Sequence, residues 1–122
     1  MSNFFPGPDL DLTFLNEIAD GSNEFIIESI DIFIDQTPEL LQIINTAIVE
    51  KRWSATAAAA HKLKPNLGFF GMLISQELFQ EIETLAKQGN PDPEQMVSKF
   101  DKAREFVFNN MRVLEQVKAD IQ

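Results

Sequence analysis

Apolar residues along this chain recur every three or four positions, the spacing of an amphipathic helix, and nowhere alternate long enough to predict a strand. Leu12, Leu15, Ile18 and Ala19 predict a short first helix that Gly21 stops. Ser22 is placed to cap a second, whose stripe is Phe25, Ile26, Ile30, Phe33 and Ile34. Thr37-Pro38 predicts a fresh start, since proline suits the first helical position, and Leu41, Ile44, Ala47 and Ile48 follow. A run of alanines carries a helix from Trp53 to about Phe70. Ser75 to Lys87 comes next, with Leu78, Ile82 and Leu85 inward and Gly89 ending it. Pro91-Asp92-Pro93 reads as a turn before the longest helix, Glu94 to about Ile121. Its stripe is Val97, Phe100, the stem of Arg104, Val107, Met111, Leu114 and Val117. Residues 1–10 hold too much proline and glycine for a regular element and read as an extended lead-in. Phe4 and Phe5 are available there to tuck against the body.

Short connections between such helices favour antiparallel neighbours. The expected fold is therefore all-α: an up-and-down antiparallel four-helix bundle with an additional short N-terminal helix, forming one domain over residues 11–122. Eleven phenylalanines without a single tyrosine predict a ring-packed core with few buried hydroxyls.

Composition narrows the chemistry. The 122 residues carry a formal charge of −9, which argues against a nucleic-acid partner, because phosphate contacts need a basic stripe. No apolar stretch approaches the roughly 20 residues that cross a bilayer, and the N-terminus does not read as a secretory signal. The absence of cysteine removes disulfides, thiolate metal sites and thiol catalysis. A cytoplasmic monomer with no cofactor of its own is the expectation.

One helix face is unusual. With residues about 100° apart around the axis, Thr56, Ala59, Leu63, Leu67 and Phe70 form the core side, and His61, the only histidine, points outward. Around it lie Ser54, Ala57, Ala58, Lys64, Pro65 and Gly68, all short or compact except the lysine. Exposed helix faces normally carry long polar side chains, so this one reads as a landing surface around an imidazole. Pro65 removes the amide that would bond the His61 carbonyl, and because Leu67 and Phe70 continue the stripe, a kinked but continuous helix is expected.

The segment from Ala60 to Gly71 resembles the signature of histidine-containing phosphotransfer (HPt) domains: His, any residue, an aliphatic, Lys, usually Gly, five residues, then Gly. His61, Leu63, Lys64 and Gly71 match, while Pro65 stands where glycine is usual. The resemblance implies a four-helix bundle whose histidine accepts a phosphoryl group and relays it between aspartates of response-regulator receiver domains, one of which can belong to a hybrid histidine kinase. It also implies an orienting Gln or Glu on the next helix. Counting along the motif gives Glu83, with Gln76 and Gln80 as competitors.

The residues support that chemistry independently. A neutral imidazole nitrogen is a good nucleophile at physiological pH, and phosphoryl transfer is catalysed mainly by positioning and charge stabilisation. Lys64, three residues from His61, is placed to offset phosphate charge, and Lys62 could act only from longer range. With no P-loop, kinase glycine loop or acidic magnesium cluster, the receiver partner is expected to bring magnesium and most catalytic groups. A general base would want a concave pocket, and a metal site fails for lack of ligands. The competing interpretation is a non-catalytic helical adaptor that binds partners through the small-residue face around His61.

Overall fold

The computed structural model describes residues 8–122, so the expectation for Phe4 and Phe5 lies outside the described residues. Five helices follow in order: α1 (Thr13–Ala19), α2 (Asn23–Val49), α3 (Trp53–Phe69), α4 (Leu73–Lys87) and α5 (Pro93–Ile121). The described residues contain no strand. α2 packs on α3 and α5, α4 packs on α3 and α5, and α1 lies against α2. The four long helices thus close a ring, α2–α3–α4–α5, around a core that includes Ile30, Ile44, Leu63, Phe79, Ile82, Phe100 and Leu114. This is the expected bundle with its short extra helix.

The predicted break at Pro38 is absent, and α2 runs through it as one helix of 27 residues. Phe33, Thr37, Leu41 and Ile44 are all buried, so the inward stripe keeps its phase across the proline and packing outweighs the lost amide. α3 likewise continues through Pro65, as expected, and keeps Leu67 and Phe70 in the core.

Ser22 caps α2 by accepting the Phe25 amide at 3.1 Å. α3 ends in a paired-bond cap: Met72 N–H reaches the Leu67 carbonyl and Gly71 N–H the Gly68 carbonyl, each at 3.0 Å. Gly71 adopts φ +68°, the left-handed conformation this cap requires. Asp11 N–H donates to the Phe70 carbonyl at 3.3 Å, laying the N-terminal segment across this end of the bundle.

Some apolar residues expected inward are exposed. Ile18, Phe25 and Val97 face solvent; in α5, Met96 takes the buried position next to Val97. Phe33 and Phe70, Phe69 and Phe70, and Phe79 and Phe100 pair edge to face, whereas Phe14, Phe25 and Phe108 lie at the surface. Buried hydroxyls do occur, at Thr37, Thr56 and Ser75. Ser75 belongs to a polar knot: the Asp9 carboxylate accepts its backbone N–H at 2.7 Å and its hydroxyl at 3.1 Å. The same carboxylate accepts the side-chain amide of buried Asn110 on α5 at 2.5 Å, while Asn110 accepts the Asp9 N–H at 2.9 Å. α4 has no side-chain cap from its own N-cap residue, Met72, and Asp9 supplies one from outside the helix.

Candidate functional site

α3 and α4 lie side by side, and their shared outer edge carries His61. Its side chain keeps 71% of its surface exposed because the core side of α3 is filled by Thr56, Ala59, Ala60, Leu63 and Leu67. One turn of α4 brings Glu83 beneath the ring, with its own side chain only 3% exposed. His61 Nδ1 lies 3.1 Å from Glu83 Oε2. Oε2 also meets Lys87 Nζ at 2.8 Å, and Oε1 meets Lys64 Nζ at 2.6 Å. Oε1 takes no hydrogen bond of regular geometry and is compensated by that ammonium group as an ion pair.

Burial pushes the Glu83 carboxyl toward its neutral form, but the close ammonium groups of Lys64 and Lys87 outweigh it and hold the pKa down at about 2. An ionised carboxylate can only accept, so the His61 nitrogen facing it must donate. In a neutral ring the other nitrogen, Nε2, then carries the lone pair. The site thus presents an exposed imidazole of fixed tautomer, backed by an anion and flanked by two cations.

Of the predicted orienting residues, Glu83 is the one that reaches His61. Gln80 instead accepts a hydrogen bond from Lys64 Nζ, and Gln76 donates to the Lys64 carbonyl at 3.1 Å. Lys64 is largely buried between α3 and α4 and pinned on Glu83 and Gln80. Lys87 is far more exposed and was not singled out from sequence, although its spacing of four from Glu83 was a usable signal.

The small-residue face is present in part. Ser54, Ala58 and Pro65 are exposed beside His61, but Ala57 is buried. Gly68 is half-buried because Gln76 covers it: a Cβ on Gly68 would meet Gln76 Nε2 at 2.6 Å. Two open hollows flank the ring, one reaching from Trp53 and Ala58 to Lys87, the other from Pro65 to Leu73 and Gln80. Lys62 lies in neither; it lines a hollow between α2 and α3.

A bundle with one exposed, anchored histidine on its second long helix is matched by a family comparison, which finds an Hpt domain over residues 28–120. The chain belongs to the Hpt domain family. Membership implies histidine phosphotransfer in two-component phosphorelays, with receiver domains of response regulators and kinases as partners. No curated relative and no solved structure matches the chain. No helix among the described residues is long and apolar enough to cross a membrane.

Proposed function

We propose that His61 of this Hpt domain accepts a phosphoryl group from a receiver-domain aspartate and passes it to another receiver aspartate. The observation that carries this is the bond from His61 Nδ1 to Glu83 on an otherwise exposed ring. In the forward step the Nε2 lone pair attacks phosphorus, the N–P bond forms, and the bond from phosphorus to the aspartyl oxygen breaks. The aspartate leaves as a carboxylate. Nδ1 keeps its proton, so the phosphorylated ring gains positive charge, which Glu83 stabilises at 3.1 Å. Attack by a second aspartate reverses the sequence.

Lys87, the more exposed of the two cations, swings to the phosphoryl oxygens, while Lys64 remains on Glu83 and keeps it ionised. Magnesium and the remaining charge stabilisation come from the receiver, which docks on the exposed Ser54, Ala58 and Pro65 around the ring.

Phosphoramidate, a small phosphoryl donor carrying a P–N bond, tests the acceptor without requiring a known partner. The expected result is acid-labile phosphate on the parent and none on His61→Gln, followed by transfer to receiver domains. Phosphate on the His61→Gln protein would refute the assignment, because the chain has no second histidine.

A further inference from the structure

The charge of this chain is unevenly divided. Residues 1–50 contain ten acidic side chains and no Lys, Arg or His, so all the basic residues lie beyond Lys51 or at it. The acidic half includes α2, whose outer surface takes no part in the His61 site. About the α2 axis, at roughly 100° per residue, Phe25, Ile32 and Ile43 fall within about 20° of one another. All three are solvent-exposed, Ile32 at 56% and Ile43 at 48%. Glu24, Glu28, Asp35 and Glu39 lie along one side of this strip, and none has a basic partner within ion-pair distance among the described residues. Asp31, further round, is paired with Lys118 of α5 at 2.5 Å.

On the other side the strip opens into a trough between α2 and α3. Two adjoining hollows of about 200 and 340 Å³ share Gln36, Thr37 and Asn66, with Ile32 and Phe69 at one end and Ile43 at the other. Large isolated side chains at a surface need no explanation, but an aligned apolar strip between an acidic rim and a trough does, even with Lys62 on the far wall of that trough beside Ile43.

We infer that the α2 face from Phe25 to Ile43 is a second docking surface, separate from the His61 face, and that it takes a cationic amphipathic helix of a partner protein. The apolar side of such a helix would sit over Ile32 and Ile43 in the trough, and its Lys or Arg residues would meet the rim of Glu28, Asp35 and Glu39. Charge excludes the nearest competitors. A two-fold contact between two copies with antiparallel α2 helices would set acidic rim against acidic rim, and an anionic lipid surface or a nucleic acid would be repelled. The span from Phe25 to Ile43 is about 27 Å at 1.5 Å per residue, so a partner helix of four to five turns would cover it.

The test uses the full chain and a synthetic helical peptide of about 16 residues, with Leu at i, i+4, i+7 and i+11 and Lys on the opposite face. Amide shifts measured by NMR should move along residues 25–43 and around Asn66 and Phe69, while those of Ala58, His61 and Glu83 stay in place. Ile32→Ser with Ile43→Ser should weaken binding at least tenfold, as should Glu28→Lys with Asp35→Lys. All four sites are at the surface, so these variants should keep the parent's melting temperature and its uptake of phosphate from phosphoramidate. Scattered shifts, shifts centred on His61, or equal binding of the same peptide with Glu in place of Lys would overturn the inference. So would a dimer in sedimentation that Ile32→Ser with Ile43→Ser dissolves, since the occupant would then be a second copy.

Discussion

Glu83 Oε2 sits 3.1 Å from Nδ1 of His61, and because the carboxylate is ionised this contact decides which nitrogen of a neutral imidazole carries the free lone pair. A buried acid normally resists ionisation; here Lys64 and Lys87 reverse that preference. The imidazole is therefore set by a carboxylate that is itself set by two lysines.

A pH dependence of stability follows. The Glu83 pKa is depressed in the folded chain, from 4.5 to about 2. Its stabilising contribution is complete above about pH 4.5 and is lost as pH falls through about 2. Glu83→Gln should lower stability at pH 7 by about 1–3 kcal/mol, because two ammonium groups lose their partner. The gap between parent and variant should shrink as the medium is acidified toward pH 2. Denaturant titrations of both proteins at pH 7 and pH 3 check this; a gap that stays constant would place the loss in packing instead of charge.

The two lysines should separate kinetically. Lys87→Ala removes the mobile cation and should slow phosphoryl transfer on the order of 10- to 100-fold with little change in folding. Lys64→Ala should slow transfer too. Each substitution takes a cation from Glu83 and should raise its pKa, and Lys64→Ala should raise it further, since Lys64 is the larger of the two influences and the partner on Oε1. Single-turnover transfer measured with the carboxyl titration of Glu83 by NMR distinguishes them. Equal pKa values in the two variants would dissolve the division of roles.

The two glycines that follow His61 should respond oppositely to a methyl group. Gly68 is helical, so alanine gains roughly 1 kcal/mol of helix propensity. Its Cβ, however, would push the Gln76 amide off the Lys64 carbonyl, forfeiting a bond worth about 0.5–1.5 kcal/mol. Gly68→Ala should therefore be close to neutral in melting temperature. Gly68, counted from sequence among the compact residues of the landing surface, is covered by Gln76 from α4. Gly71→Ala should cost more than about 2 kcal/mol, because the left-handed φ is strained for alanine and the new methyl would overlap the Asp11 backbone. Thermal melts of both variants are sufficient, and a neutral Gly71→Ala would show that the chain end can move away.

Local period carried most of the fold into view. The α3 face was legible because Leu63 and Leu67 fix its core side, and the same count placed His61 outward; the alanines lie all round the helix, and Ala57, counted on the His61 face, is buried. Where apolar residues sit side by side, as at Met96 and Val97, a pattern of two kinds of residue cannot say which one turns inward. At Pro38 the local rule lost to tertiary packing that only the assembled bundle supplies. Glu83 was legible from motif spacing, but Lys87 has no place in the motif and is marked only by its spacing of four from Glu83. The polar knot at Asp9 had no local signal at all: its partners stand 66 and 101 residues away.

That knot supplies the last prediction. The Asp9 carboxylate accepts from Ser75 twice and from Asn110 once, and both partners are fully buried. Asp9→Ala would leave the Ser75 amide and hydroxyl and the Asn110 side chain without their acceptor in a dry place, where an unsatisfied polar group costs about 1–3 kcal/mol. The loss is partly shared, because the Asn110 amide also lies 3.4 Å from the Ser75 hydroxyl and can tighten that contact. A total destabilisation of about 2–3 kcal/mol is expected, with Asp9→Asn recovering part of it, since an amide oxygen can still accept from Ser75. The effect should be concentrated at the N-terminus of α4. Hydrogen exchange of the Ser75 and Gln76 amides should accelerate in Asp9→Ala, while amides at the far end of α4, near Glu83, keep their protection. Phosphate uptake on His61 from phosphoramidate should then match the parent at temperatures where the variant is folded. Uniform acceleration along α4 would mean that the knot holds the whole helix in place instead of only its first turn.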